Sequence, residues 1–134
     1  MSQLTADILA HSLDVIGEAG VDITPIFYEK FFAAYPEQKE NFYQFESSSG
    51  MMVNEMLASV LALAAGEPWL TEFLQNIVIA HRSYGDIPGT AYADLLDLLV
   101  DSLADAAGPK WKEKFSLAWE SQISEMKKLI TQIV

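Results

Sequence analysis

The stretch KFSLAWESQISEMKKLITQIV, Lys114 to Val134, decides the fold class. Its large apolar residues Phe115, Trp119, Ile123, Met126, Ile130 and Ile133 recur at steps of four, four, three, four and three. That period holds one apolar stripe on one side of an α-helix and leaves the charged residues between on the other. Gly108 breaks the segment before it, and Pro109 suits a first helical turn, where a missing N–H costs nothing. A helix is predicted over about residues 109–133.

The same period runs backwards through the chain. Thr90–Ala107 carries Leu95, Leu96, Leu98, Leu99, Val100 and Leu103, with Asp94, Asp97, Asp101 and Asp105 interleaved on one face. Those carboxylates are expected to form a solvated face rather than a metal site, because hard cations want oxygens converging from a turning loop. Trp69–Arg82 places Leu70, Phe73, Leu74, Ile77, Val78 and His81 at helical spacing. The β-branched run Ile77-Val78-Ile79 would also suit a strand, but the longer period favours helix. Pro68 precedes this segment; Gly85 and Pro88 end it. Ser48–Ala65 lines up Met52, Met56, Val60 and Leu63. Thr24–Tyr35 opens with Thr24 as cap and Pro25 at the first helical position, and then runs Phe27, Tyr28, Phe31, Phe32, Tyr35 before Pro36. The first helix is expected over roughly Ser2–Gly17. Five or six helices with short connections and no convincing strand make an all-α single domain over residues 1–134.

Composition bounds the function. The chain has 134 residues, 51% of them hydrophobic, with 19 acidic and 8 basic side chains and no cysteine. A chain of this length forms a core without a disulfide or zinc staple. Thiolate catalysis and thiolate metal sites are excluded. A net charge of −11 argues against nucleic acid and anionic membranes, both of which need a basic footprint. The longest uncharged run, Met56–Gly66, is too short to span a bilayer, and the start lacks a basic segment before an apolar block. A soluble cytoplasmic protein is expected.

Only two histidines are present. His11 stands between Ala10 and Ser12 and is expected to be ordinary. His81 lies at the end of the stripe Leu70, Leu74, Ile77, Val78. Such a histidine is either a satisfied core residue or a ligand to an iron cofactor that itself fills apolar space. Arg82, the one arginine, is either a surface residue or the partner of an anionic ligand group near His81. No zinc spacing, no nucleophile–histidine pair and no phosphate-binding glycine pattern is present. A carboxylate-pair hydrolase is allowed but has no motif behind it.

The order of these features resembles a globin, and within the globins the single-domain bacterial haemoglobins and the haem domain of flavohaemoglobins. Residues 23–42, ITPIFYEKFFAAYPEQKENF, are similar to that family's second and third helices. The Phe-Tyr pair, an acid–base pair, two large apolar residues, Pro-Glu and a phenylalanine six residues after the proline all follow its pattern. Ile79-Ala80-His81-Arg82-Ser83-Tyr84-Gly85 resembles the proximal-histidine segment, with Tyr92 downstream, and Ala118-Trp119 matches a pair in the last helix.

The resemblance spans essentially the whole chain and implies a globin-like fold of about six to seven helices around haem. His81 would be the proximal iron ligand. Phe42 would pack on the haem face, and Tyr28 would donate a hydrogen bond to bound dioxygen on the distal side. Arg82 would meet a haem propionate. Two departures matter. The distal position falls on Met52, or Met51, where the family usually has glutamine or histidine; a methionine there would plug the pocket or place its sulfur on the iron. Met56, one turn on, would be a second distal gate. The glutamate that would polarise the proximal histidine through the downstream tyrosine is replaced by Lys114, which weakens the case for oxidative chemistry.

The resemblance thus implies reversible binding of dioxygen or another diatomic gas, for transport, storage, scavenging or sensing, with no catalytic residue assigned. The alternatives are a nitric oxide dioxygenase or peroxidase served by an external reductase, since the chain ends at Val134, and a haem-free globin-like regulatory module. A homodimer is allowed, with the final helix, its Trp111 and Trp119 and five of the eight basic residues, as the surface for it.

Overall fold

In the computed structural model, residues 2–41, 45–81 and 89–133 are described. They form six α-helices: α1 (Ser2–Ala19), α2 (Ile23–Ala34), α3 (Phe45–Ala65), α4 (Leu70–His81), α5 (Gly89–Ala107) and α6 (Glu113–Ile133). Two 3-10 helices, Pro36–Asn41 and Gly108–Lys110, follow α2 and α5. No strand occurs among the described residues. The architecture is all-α and globin-like in its helix count. The run Ile77-Val78-Ile79 is helical, because Val78 continues the buried stripe of Leu70 and Leu74.

Several helix starts differ from the sequence expectation; α3, for one, begins at Phe45 rather than Ser48. The cap of α2 is Asp22, not Thr24: Asp22 is extended, and its carboxylate accepts from the Thr24 N–H at 3.0 Å. Aspartate is at least as good a cap as threonine, and its charge favours the positive end of the helix. Pro25 consequently sits inside the first turn, where its missing N–H is still harmless. Pro109 lies within the short 3-10 helix that Gly108 starts, rather than at the start of the last α-helix. Trp111 is extended after it, and α6 begins only at Glu113.

Glycine follows the ends of α1 and α3. Gly66 has φ +73°; its N–H reaches the Leu63 carbonyl at 3.1 Å, and the Glu67 N–H reaches that of Ala62 at 2.9 Å. This pair of bonds satisfies carbonyls that α3 leaves without donors, and it needs a left-handed residue at the turn. Gly20, at φ +71°, follows α1 and its N–H reaches the Gly17 carbonyl at 3.0 Å; the helix runs to Ala19, two residues past the expected Gly17.

Buried residues from all six helices meet in one core. The α6 stripe is the longest contribution: Phe115, Trp119, Ile123, Met126 and Ile130 are all buried. Trp119 is fully buried, and its indole N–H donates to Ser12 Oγ of α1 at 2.9 Å, while Ser12 donates to the Leu9 carbonyl at 2.6 Å. The pair satisfies two polar groups where no solvent reaches. Burial also removes Trp119 from any dimer surface on α6; Trp111 is half-buried with its N–H on Ser116 Oγ.

Helix α3 packs on α1, α2, α4 and α6, and α5 packs on α1, α2 and α6. The acidic face of α5 is exposed, as expected, but it is not bare. Asp97 pairs with Lys127 of α6 at 2.9 Å, Asp105 with Lys30 of α2 at 2.7 Å, and Asp94 accepts from Tyr35. Exposed pairs of this kind contribute about 0.2–1 kcal/mol each. Their larger effect is to fix α5 between its two neighbours.

Candidate functional site

His81 is the last residue of α4, one turn past the buried Val78 and two past the buried Leu74, so the apolar stripe that docks the helix also carries its ring to the edge of the core. The ring is half-buried. Nδ1 lies 2.7 Å from the carbonyl oxygen of Ile77, one turn earlier. A carbonyl only accepts, so Nδ1 carries a proton, and in the neutral imidazole the lone pair sits on Nε2. The sequence separation of four puts acceptor and ring on the same helix face.

Tyr92, from the first turns of α5, meets His81 edge to face with ring centroids 5.9 Å apart and planes at 66°. The end of α4 and the start of α5 thus bring together two of the residues singled out in the sequence. Rotation of the imidazole about its ring axis is limited by a hydrogen bond on one side and an aromatic ring on another.

Tyr28 is 2% exposed on α2. It packs against Phe27 at 5.1 Å, Phe32 at 5.5 Å and Phe31 at 6.0 Å between ring centroids. Burial pushes its phenol well above the ordinary tyrosine range, so it stays a neutral hydroxyl. Met52 and Met56 sit one turn apart on α3, both half-buried against the core. Helix α3 packs on both α2, which carries Tyr28, and α4, which carries His81. Phe42 and Arg82 lie outside the described residues, as does the side chain of Met51.

Elsewhere, His11 is exposed and rests edge-on against Phe115 at 5.5 Å, in keeping with an ordinary residue. Lys114 is exposed, with its ammonium 5.9 Å from the Phe115 ring. The Tyr35–Asp94 bond was not foreseen from sequence. Its partners are 59 residues apart, and local periodicity carries no signal for it.

Among the described residues no three histidine or carboxylate groups gather to hold a metal ion. A single imidazole with its lone pair on Nε2 is a poor site for a bare cation, which wants several protein ligands. It suits an iron cofactor that brings most of its own ligands. The fold is all-α and globin-like, and it brings His81 of α4 against Tyr92 of α5.

Comparison with known proteins points the same way. The chain is 27% identical over 122 residues to a flavohemoprotein of Rhizobium meliloti (strain 1021), covering 89% of this chain and 30% of that protein. It is 26% identical over 139 aligned positions to a flavohemoprotein of Halalkalibacterium halodurans, covering 96% of this chain and 34% of that protein. The chain therefore spans about a third of the length of these curated relatives. No protein-family profile and no solved structure matches it. At this identity the matches weakly support a globin-like relationship.

Proposed function

We propose that the chain is a haem-binding domain that reversibly holds dioxygen or another diatomic gas, with His81 as the iron ligand. The observation that carries this reading is the His81 Nδ1–Ile77 carbonyl bond at 2.7 Å, which directs the lone pair to Nε2 on a ring also braced by Tyr92. The two flavohemoprotein relatives, matched over nearly the whole of this chain, support haem as the cofactor. Haem, when bound, supplies an iron centre open to a small gas ligand.

The chain's own residues do the rest. His81 holds the group and Tyr92 fixes the imidazole's angle. Tyr28, kept neutral by burial, retains its phenol proton among the rings of α2. Met52 and Met56 exclude water on the α3 side without adding a strong hydrogen-bond donor. Phe42 and Arg82 take the haem-face and propionate roles that the sequence resemblance implies. A carbonyl partner on Nδ1 is neutral, whereas a carboxylate partner would raise the electron density on the imidazole. This favours gas binding over peroxidase or nitric oxide dioxygenase chemistry, which would require an external reductase.

A second reading has one observation in its favour. Met52 and Met56 already pack against the core, as expected of a haem-free relative that fills its own pocket. Titration of purified protein with haem separates the two. A stoichiometric Soret band supports the haem reading; no band supports the haem-free one. Nitric oxide consumption beyond one turnover with an added electron donor would replace gas storage by an enzymatic role.

A further inference from the structure

Tyr35 closes α2, and its hydroxyl donates to Asp94 Oδ2 on α5 at 2.5 Å. That is the short end of the range for a hydroxyl on an ionised carboxylate. A clasp between two helices explains a bond at this place. It does not explain where the tyrosine stands in the aromatic packing.

Tyr35 is the outer member of a continuous run of rings. Its centroid is 6.0 Å from Phe31, and Phe31 is 6.0 Å from Tyr28. A parallel branch runs from Phe31 to Phe32 at 5.3 Å and from Phe32 to Tyr28 at 5.5 Å. The inner end is buried: Phe31 is 6% exposed and Tyr28 2%. The outer end is open, because Tyr35 and Asp94 line a surface hollow with Ala34, Asp97 and Leu98. The run therefore joins a buried phenol to one that solvent reaches.

The carboxylate supplies the missing chemical element. Removing an electron from a phenol makes its O–H strongly acidic. A base already hydrogen-bonded to that proton accepts it as the electron leaves, so no cation radical is stranded. Asp94 is such a base, and its bond to Tyr35 holds the phenol proton above the usual tyrosine range in the resting state.

We propose that Tyr35 and Asp94 form a proton-coupled one-electron donor site at the surface end of the aromatic cluster of α2. A one-electron oxidant, peroxide-derived or photochemical, takes one electron from Tyr35. The Tyr35 O–H bond breaks, its proton passes to Asp94 Oδ2, and a neutral phenoxyl radical remains. A small one-electron reductant such as a phenol, entering the hollow, returns the electron, and the proton goes back from Asp94. Tyr35 is the oxidisable station, and Phe31 and Phe32 lie between it and the buried ring of Tyr28. The site acts whether or not haem is bound, so its test is separate from that of the haem reading.

The experiment uses the full-length protein and ruthenium(III) tris(bipyridine) generated by a light flash, with transient absorption and electron paramagnetic resonance reading tyrosyl radical. Tyr35→Phe is expected to lose most of the fast tyrosyl signal. Asp94→Asn, which keeps the shape but removes the base, is expected to slow its formation about tenfold. Wild-type protein in heavy water is expected to form the radical measurably more slowly, a readout that needs no variant to fold. A wild-type yield in Tyr35→Phe, a wild-type rate in Asp94→Asn, or no solvent isotope effect overturns the proposal.

Discussion

The imidazole of His81 gives its Nδ1 proton to the carbonyl of Ile77, 2.7 Å away and one helical turn earlier. Donor and acceptor are on the same short helix, so the bond forms whenever α4 forms and asks nothing of the rest of the fold. What the rest of the fold adds is Tyr92, brought from α5 to the edge of the same ring. The imidazole is thus oriented by one local and one tertiary contact.

The tertiary contact is the testable half. Tyr92→Phe keeps an aromatic edge against His81, whereas Tyr92→Ala removes it. In haem-loaded protein, Tyr92→Ala is expected to speed haem transfer to a scavenger apoprotein by about tenfold or more, the usual scale for losing an outer partner of a metal ligand. Tyr92→Phe should stay close to wild type. Equal rates in all three proteins would show that Tyr92 does not position the ring.

Ser12→Ala leaves the buried indole N–H of Trp119 without its acceptor. The expected loss is about 1–3 kcal/mol, the cost of a buried donor left unsatisfied. Urea unfolding followed by tryptophan fluorescence measures it. A midpoint unchanged from wild type would mean that the indole finds another acceptor.

Gly66→Ala tests the end of α3. Nothing lies within 4 Å of an added Cβ there, so no clash is created. The cost is that of holding a residue with a side chain at φ +73°, about 1–2 kcal/mol. The same change at Gly17, where φ is not positive and nothing lies within 4 Å, is expected to be neutral or stabilising. Urea midpoints of the two variants check the contrast.

Alkaline pH should weaken the fold through Tyr28. Its folded pKa is raised by burial, so the folded state keeps a proton that the unfolded chain releases near pH 10. Stability from this source is fully present below that pH and falls as pH rises above it. Tyr35, held up mainly by its bond to Asp94, and Lys30, held up mainly by its bond to Asp105, act in the same direction. Urea midpoints measured from neutral pH to about pH 11 should fall, and Tyr28→Phe should flatten part of that fall. An unchanged slope in Tyr28→Phe would contradict the assignment.

The helices were legible because burial imposes a period on the sequence. The stripe from Phe115 to Ile130 is buried as its spacing requires, and Val78 settles the β-branched run of α4 as helix. The starts of α2 and α6 were misplaced because Thr24-Pro25 and Gly108-Pro109 are good local signals that lost to better ones nearby, the Asp22 cap and the 3-10 turn. The site was legible only in part. His81 stood out because a polar ring interrupts an apolar stripe, and Tyr92 followed from the family resemblance. The Ser12–Trp119 bond and the Tyr35–Asp94 bond depend on which helix faces which, and helical periodicity holds no information about partners 59 or 107 residues away.

The most direct test of the account is a haem titration of the wild-type protein beside His81→Ala, read at the Soret band in the ferric state and in the ferrous state with carbon monoxide. The account predicts one haem per wild-type chain, a carbon monoxide complex of the ferrous form, and loss or displacement of the band in His81→Ala. No Soret band in wild type, or a band and carbon monoxide spectrum unchanged in His81→Ala, would contradict it.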